Sequence, residues 1–130
     1  MTFVLDTSIL IAIERREKNV IEQLEKLSKT DSSPAKITFV NYFEFILGIK
    51  NKNPKNQDKL LEFIDKFAVL QTTMTTAHIL AEFKHNYEQK GVVLSLSDLL
   101  IAALTMQNNM VLITKDRDFE KISELQKIVL

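Results

Sequence analysis

Asp6, Glu44, Asp98 and Asp116 are the residues whose types and settings could carry chemistry in this chain. Each stands where an apolar segment begins or ends. Phe3-Val4-Leu5 runs straight into Asp6, and Ile37 to Val40 leads within a few residues to Glu44. Asp98 opens the run Leu99-Leu100-Ile101-Ala102-Ala103-Leu104, and Asp116 follows Met110 to Ile113 after a two-residue turn. Carboxylates seldom sit beside core segments unless they cap a helix or bind something. Two like charges ~5 Å apart repel by roughly 3 kcal/mol at an effective dielectric of about 20. A cluster of four therefore either protonates or recruits a divalent cation. All-oxygen ligands in a chain without cysteine favour a hard ion, Mg²⁺ or Mn²⁺, over zinc. Such an ion orients water, lowers its pKa and neutralises charge building on a phosphodiester.

Capping explains each acid taken singly. Asp6 precedes a helical stretch that starts at Thr7, while Glu44 follows Asn41, and Asp98 follows Ser95, by the three residues of a capping box. Asp116 or Asp118 suits the N-cap of a short helix. Four caps need not share one edge of a sheet, so convergence is what separates the two readings.

The elements that must position them read as follows. Residues 2–5, Lys36 to Val40, Ala68 to Gln71, Met110 to Ile113 and Lys127 to Leu130 suit strands, the third weak and the last at an edge. Helices are expected from Thr7 to Arg16, around Val20 to Leu27, from Asn41 to Gly48 or Lys50, and around Leu60 to Phe67. Further helices should open at Thr75 or Thr76, stopping at Gly91, and at Ser95, with a short one from Asp116 to Glu124. Lys29 to Pro34 and Asn51 to Asn56 read as turns. This alternation predicts an α/β sandwich: one domain over residues 1–130, with a central parallel sheet of four or five strands flanked by helices. In such a sheet ligands sit beyond the carboxyl ends of the strands, where all four acids are expected.

Composition narrows the class. At 130 residues with 45% hydrophobic and 26% charged side chains, the chain can bury a core and is not disordered. Seventeen basic residues balance seventeen acidic ones, so any nucleic acid must be held by a local patch, a metal or a second subunit. No apolar run approaches the ~20 residues of a membrane span, and the opening residues do not suit a signal peptide. The expected compartment is the cytoplasm, without a membrane partner. No Walker loop, dinucleotide glycine fingerprint or zinc spacing is present.

Four blocks, in order and spanning nearly the whole chain, resemble the PIN-domain family, especially its small VapC-type toxin nucleases. They are Phe3-Val4-Leu5-Asp6-Thr7-Ser8, Asn41-Tyr42-Phe43-Glu44-Phe45-Ile46-Leu47-Gly48, Leu96-Ser97-Asp98-Leu99-Leu100-Ile101-Ala102-Ala103 and Leu112-Ile113-Thr114-Lys115-Asp116-Arg117-Asp118-Phe119. The resemblance implies Mg²⁺- or Mn²⁺-dependent endoribonuclease chemistry, with Asp6, Glu44, Asp98 and Asp116 as the metal-site acids. It makes Asp118 an auxiliary acid, and Ser8 and Thr114 hydroxyls that orient carboxylates or water. It further implies 5′-phosphate and 3′-hydroxyl products, a homodimer, and a cognate antitoxin protein whose tail covers the acidic pocket. Asn41 departs from the pattern, standing where a hydroxyl residue is common, and Phe45 where leucine is.

Three other readings stand beside this one. The fold also suits a housekeeping RNA-processing or structure-specific nuclease, and a catalytically silent binding module. A phospho-accepting receiver domain gathers acids at a sheet edge too, but lacks its acidic pair here. His78 and His85 lie seven apart, roughly 10.5 Å along a helix, too far to share one metal. Arg15, Arg16 and Lys18, and Lys50, Lys52, Lys55 and Lys59, form two basic runs that read first as solvated faces. Phe39, Phe43, Phe45, Phe63, Phe67 and Phe83 fall mostly at core spacing, and any found exposed would mark a dimer or antitoxin surface.

Overall fold

A computed structural model describes residues 1–130. In chain order the elements are β1 (Phe3–Leu5), α1 (Thr7–Glu14), α2 (Lys18–Ser28), β2 (Lys36–Thr38), α3 (Phe39–Ile49) and α4 (Pro54–Ile64). These are followed by β3 (Ala68–Leu70), α5 (Met74–Gln89), α6 (Leu96–Gln107), β4 (Val111–Thr114), a 3₁₀ turn (Arg117–Lys121) and β5 (Lys127–Val129). The five strands form one sheet in the order β3-β2-β1-β4-β5, every neighbouring pair parallel. Registers such as Leu5 opposite Ile113 and Thr38 opposite Leu70 align the strand ends. All carboxyl ends therefore lie along one edge. The chain adds strands outward from β1 to β3, then returns to the other side of β1 with β4. That reversal opens a crevice between β1 and β4, where open α/β sheets take their ligands.

The period-two alternation of the strands divides the core. Val4 and Leu112 face a cluster with Phe83 and Tyr87 of α5 and Leu99, Ala102 and Ala103 of α6. Leu5, Ile37 and Ile113 face the opposite cluster with Ile9 and Leu10 of α1, Phe45 of α3 and Ile64 of α4. Helices thus cover both faces, which is why the strands are apolar on both sides.

Several boundaries differ from the sequence reading, each for a local reason. Strand β2 stops at Thr38, not Val40, because Thr38 is the N-cap of α3. Thr38 and Asn41 form the capping box reciprocally: Asn41 N–H donates to Thr38 Oγ1 at 3.2 Å, and Thr38 N–H to Asn41 Oδ1 at 3.0 Å. Asn41 is therefore the third residue of the helix, not its cap, and Glu44 sits one turn later than expected. Pro54, expected in a turn, opens α4 at its first position behind an Asn53 cap. Phe67 falls beyond the end of α4. Thr73 rather than Thr75 or Thr76 precedes α5, its N–H bonded to Thr76 Oγ1 at 2.9 Å. The last expected helix is only the 3₁₀ turn. No helix is long and apolar enough to cross a membrane.

Candidate metal centre

Six polar residues are buried: Asp6, Thr38, Asn41, Thr76, Thr105 and Thr114. Thr105 bonds back to its own helix at Ile101 O, and Thr76 bonds Gln107 across α5 and α6. The other four gather where β1, β2 and β4 end. No buried side-chain nitrogen or oxygen lacks a hydrogen-bond partner, so this polar cluster is built rather than tolerated.

Asp6 holds the N-cap position of α1, and its backbone carbonyl accepts from Ile9 and Leu10 at 3.0 and 3.1 Å. Its N–H donates across to Ile113 O at 3.0 Å, tying it to the end of β4. Its side chain makes no capping bond. Instead Oδ2 accepts from Thr114 Oγ1 at 2.7 Å and Ser8 Oγ at 3.1 Å, and Oδ1 accepts from Asn41 Nδ2 at 3.2 Å. The two hydroxyls are themselves held by backbone. Thr114 Oγ1 accepts from Asp116 N–H at 2.9 Å, and Ser8 Oγ from Lys115 N–H at 3.0 Å.

Asn41 shows no exposed surface. Its Oδ1 accepts both from Thr38 N–H and, at 2.7 Å, from Thr38 Oγ1. Because a backbone N–H can only donate, the carbonyl must face Thr38 and the amino group must face Asp6. The same Nδ2 donates to Thr7 Oγ1 at 3.1 Å, and Thr7 Oγ1 donates to Glu44 Oε1 at 2.6 Å. One amide thereby orients Asp6 directly and Glu44 through Thr7.

Asp98 enters from α6 as the third helical residue, its N–H bonded to Ser95 Oγ at 3.1 Å. Only that half of the capping box forms. Asp116 caps the 3₁₀ turn, its Oδ1 accepting from Asp118 N–H at 2.9 Å. One oxygen each of Asp98, Asp116 and Asp118 lie within 4.8 Å of one another. Asp118 also faces Lys121 at 3.4 Å. The trio that converges on a point therefore includes Asp118, read from sequence as auxiliary. Asp6 lies near enough to bear on Asp98 and Asp116, whereas Glu44 is not part of the trio and joins the cluster through Thr7 and Asn41.

The charges register each other. Burial pushes the Asp98 carboxyl up to about 6, helped by Asp116 and then by Asp6 and Asp118, against the pull of the Ser95 hydroxyl. Asp6 is also raised, first by burial and lastly by Asp116, against the hydroxyls of Thr114 and Ser8 and the Thr7 amide. The excess of negative charge and the oxygen-only donors are what a hard divalent cation requires, so these residues fit Mg²⁺ or Mn²⁺. Thr7 and Asn41 escaped the sequence reading in these roles. Their signals were the hydroxyl after Asp6 and the Thr38-x-x-Asn41 spacing.

A carboxyl raised in the folded state binds its proton more tightly there than when unfolded. Its contribution favours folding below pH ~3.8 and is lost as pH climbs through about 6. In metal-free protein, Asp98→Asn should therefore raise the melting midpoint relative to the parent at pH 8. The gain should shrink through pH 6 and vanish near pH 4. Differential scanning calorimetry in chelator across that range reads it, and a gain independent of pH would contradict the assignment.

Comparison with known proteins agrees with this architecture. The model of the PIN domain matches residues 3–125. Ribonuclease VapC2 of Rickettsia felis is 26% identical over 127 residues, covering 96% of this chain and 95% of that protein. Among solved structures, VapBC2 from Rickettsia felis, bound to a DNA fragment from their promoter, superposes with a TM-score of 0.86 at 25% identity. That match covers 100% of this chain and 99% of the other. VapBC-1 from nontypeable Haemophilus influenzae gives 0.85 at 23% identity over 99% and 98% of the two chains, a likeness of fold. A family model spanning nearly every residue, on a five-stranded parallel sheet with acids at its carboxyl edge, places this chain in the PIN domain family.

Proposed function

We propose that this chain is a metal-dependent endoribonuclease, the toxin of a toxin–antitoxin pair, acting in the cytoplasm. The observation that carries the reading is the convergence of Asp98, Asp116 and Asp118 within 4.8 Å, beside buried Asp6. Likeness to Ribonuclease VapC2 over 95% of that protein's length supports RNA as the substrate. Asp6, Glu44, Asp98 and Asp116 would hold Mg²⁺ or Mn²⁺, with Asp118 as an auxiliary acid beside Asp98 and Asp116. When bound, the ion acidifies water and offsets the charge that builds on the scissile phosphate. The protein's own part is orientation. Thr114, Ser8 and Asn41 fix the Asp6 carboxylate, Thr7 fixes Glu44, and Ser95 with the start of α6 fixes Asp98.

The partners of this reading are a second copy of the chain and an antitoxin. Relatives that superpose on it were solved as VapBC assemblies. Phe39, Phe43 and Leu47 recur at four-residue spacing along α3 and are 49%, 55% and 58% exposed, an apolar ridge that supports a protein contact.

Asn41→Ala should weaken Mn²⁺ binding by roughly 10- to 100-fold, the usual effect of removing a residue that orients a ligand. Calorimetric titration measures it, with a circular dichroism melt to show that the variant is folded. Purified parent protein should cleave a mixed RNA panel with Mg²⁺ or Mn²⁺ and stop in EDTA, and Asp98→Asn should lose at least ~10²-fold in rate. Cleavage that survives either EDTA or the substitution would remove the metal mechanism.

A further inference from the structure

The two basic runs lie on different elements, yet the fold brings them to adjoining hollows between α1, α3 and α4. One, of about 170 Å³, is lined by Arg15, Lys52 and Glu44. The next, of about 410 Å³, is lined by Arg16, Lys52 and Lys59. Glu14, Lys52 and Leu60 line both, so the two are one groove, with Glu44 among the residues that line it. Of the ion pairs in the structure, none involves Arg15, Arg16, Lys52 or Lys59. Four uncommitted cations thus face two acids, Glu14 and Glu44, in a molecule whose net charge is zero.

The backbone singles out one of the four. Three helices end on the same left-handed closure. Val92 N–H returns to Tyr87 O at 2.9 Å, Met110 N–H to Thr105 O at 3.1 Å, and Glu17 N–H to Ala12 O at 2.9 Å. The left-handed residues are Gly91 (φ 70°), Asn109 (φ 54°) and Arg16 (φ 58°). Glycine and asparagine adopt this conformation readily, but arginine does so against its Cβ. A strained residue at a groove beside a candidate active site points to use of its side chain.

We infer that this groove is the track for the RNA backbone, with Arg15, Arg16, Lys52 and Lys59 holding phosphates of the strand that passes Glu44. The assignment rests on the ribonuclease reading. A strand whose phosphate lies among the acids must leave over the neighbouring surface, and there its charges meet unpaired cations. RNA is the occupant the charges favour: it brings a phosphate at every nucleotide to a groove lined by four cations and only two acids.

The test is fluorescence anisotropy of a labelled single-stranded RNA with the full chain in EDTA, which holds the substrate uncut, over a series of salt concentrations. Arg16→Gly should weaken binding several-fold and flatten the log K against log salt slope by roughly 0.7, the loss of one phosphate contact. The same variant should melt higher, because glycine relieves the backbone. Arg16→Gly with Lys52→Gln and Lys59→Gln should flatten the slope by roughly 2. Lys84→Gln on α5, over the opposite face of the sheet, should leave binding as in the parent. Parent-like affinity and slope in the triple variant would overturn the track alone and leave the groove to a protein partner. Absence of RNA binding by the parent protein at low salt would overturn both the track and the ribonuclease reading.

Discussion

Asp6 is 5% exposed between the ends of two parallel strands, and donors from three elements converge on its carboxylate. Ser8 comes from α1, Asn41 from α3 and Thr114 from β4. A buried carboxylate without donors would protonate or unfold the edge. With them it stays a positioned acceptor that ties α1 and α3 to the end of β4. Asp6 N–H to Ile113 O fixes the same junction through backbone. The rest of the candidate site follows from this arrangement. Thr114 passes order to Asp116 through its backbone N–H, and Asn41 passes order to Glu44 through Thr7.

The cost of the site is electrostatic and is carried by the two cores. Asp98 and Asp6 both ionise less readily than free aspartates because burial and neighbouring carboxylates oppose their charge. Such repulsion weakens the folded state at neutral pH until a cation offsets it. The fold can hold it because α6 is nearly all buried from Leu99 to Thr105, anchoring the Asp98 end against the sheet. Rigidity of the scaffold and strain at the site are two sides of one design, in which hydrogen bonds aim charges that would otherwise turn away from each other.

Much of this could be read from residues alone, and the gaps have physical causes. All five strands were foreseen, because short apolar runs set off by acids, Ser, Asn and Pro leave few alternatives. The start of α3 was misplaced because Phe39-Val40 have strand propensity, while the cap that overrides it lies in Thr38 and Asn41. Capping spacing at Ser95 and Asp98 was correct but half true, since the Asp98 carboxylate does not complete the box. The approach of Asp118 to Asp98 and Asp116 was not legible, because distance between elements is set by sheet order and not by spacing. Nor was the left-handed turn at Arg16. Glycine announces such a turn, and arginine hides it.

Exposed Phe39, Phe43 and Leu47 on α3 and the cationic groove beside α1 give the molecule two unlike surfaces next to one acidic edge. The most direct test is a crystal of the full chain soaked in Mn²⁺, with an anomalous difference map. An ion coordinated by carboxylate oxygens of Asp6, Asp98 and Asp116, with Glu44 bound directly or through water, is the expected result. A map with no peak in that crevice at saturating Mn²⁺, or with manganese only at acids elsewhere on the surface, would contradict the account.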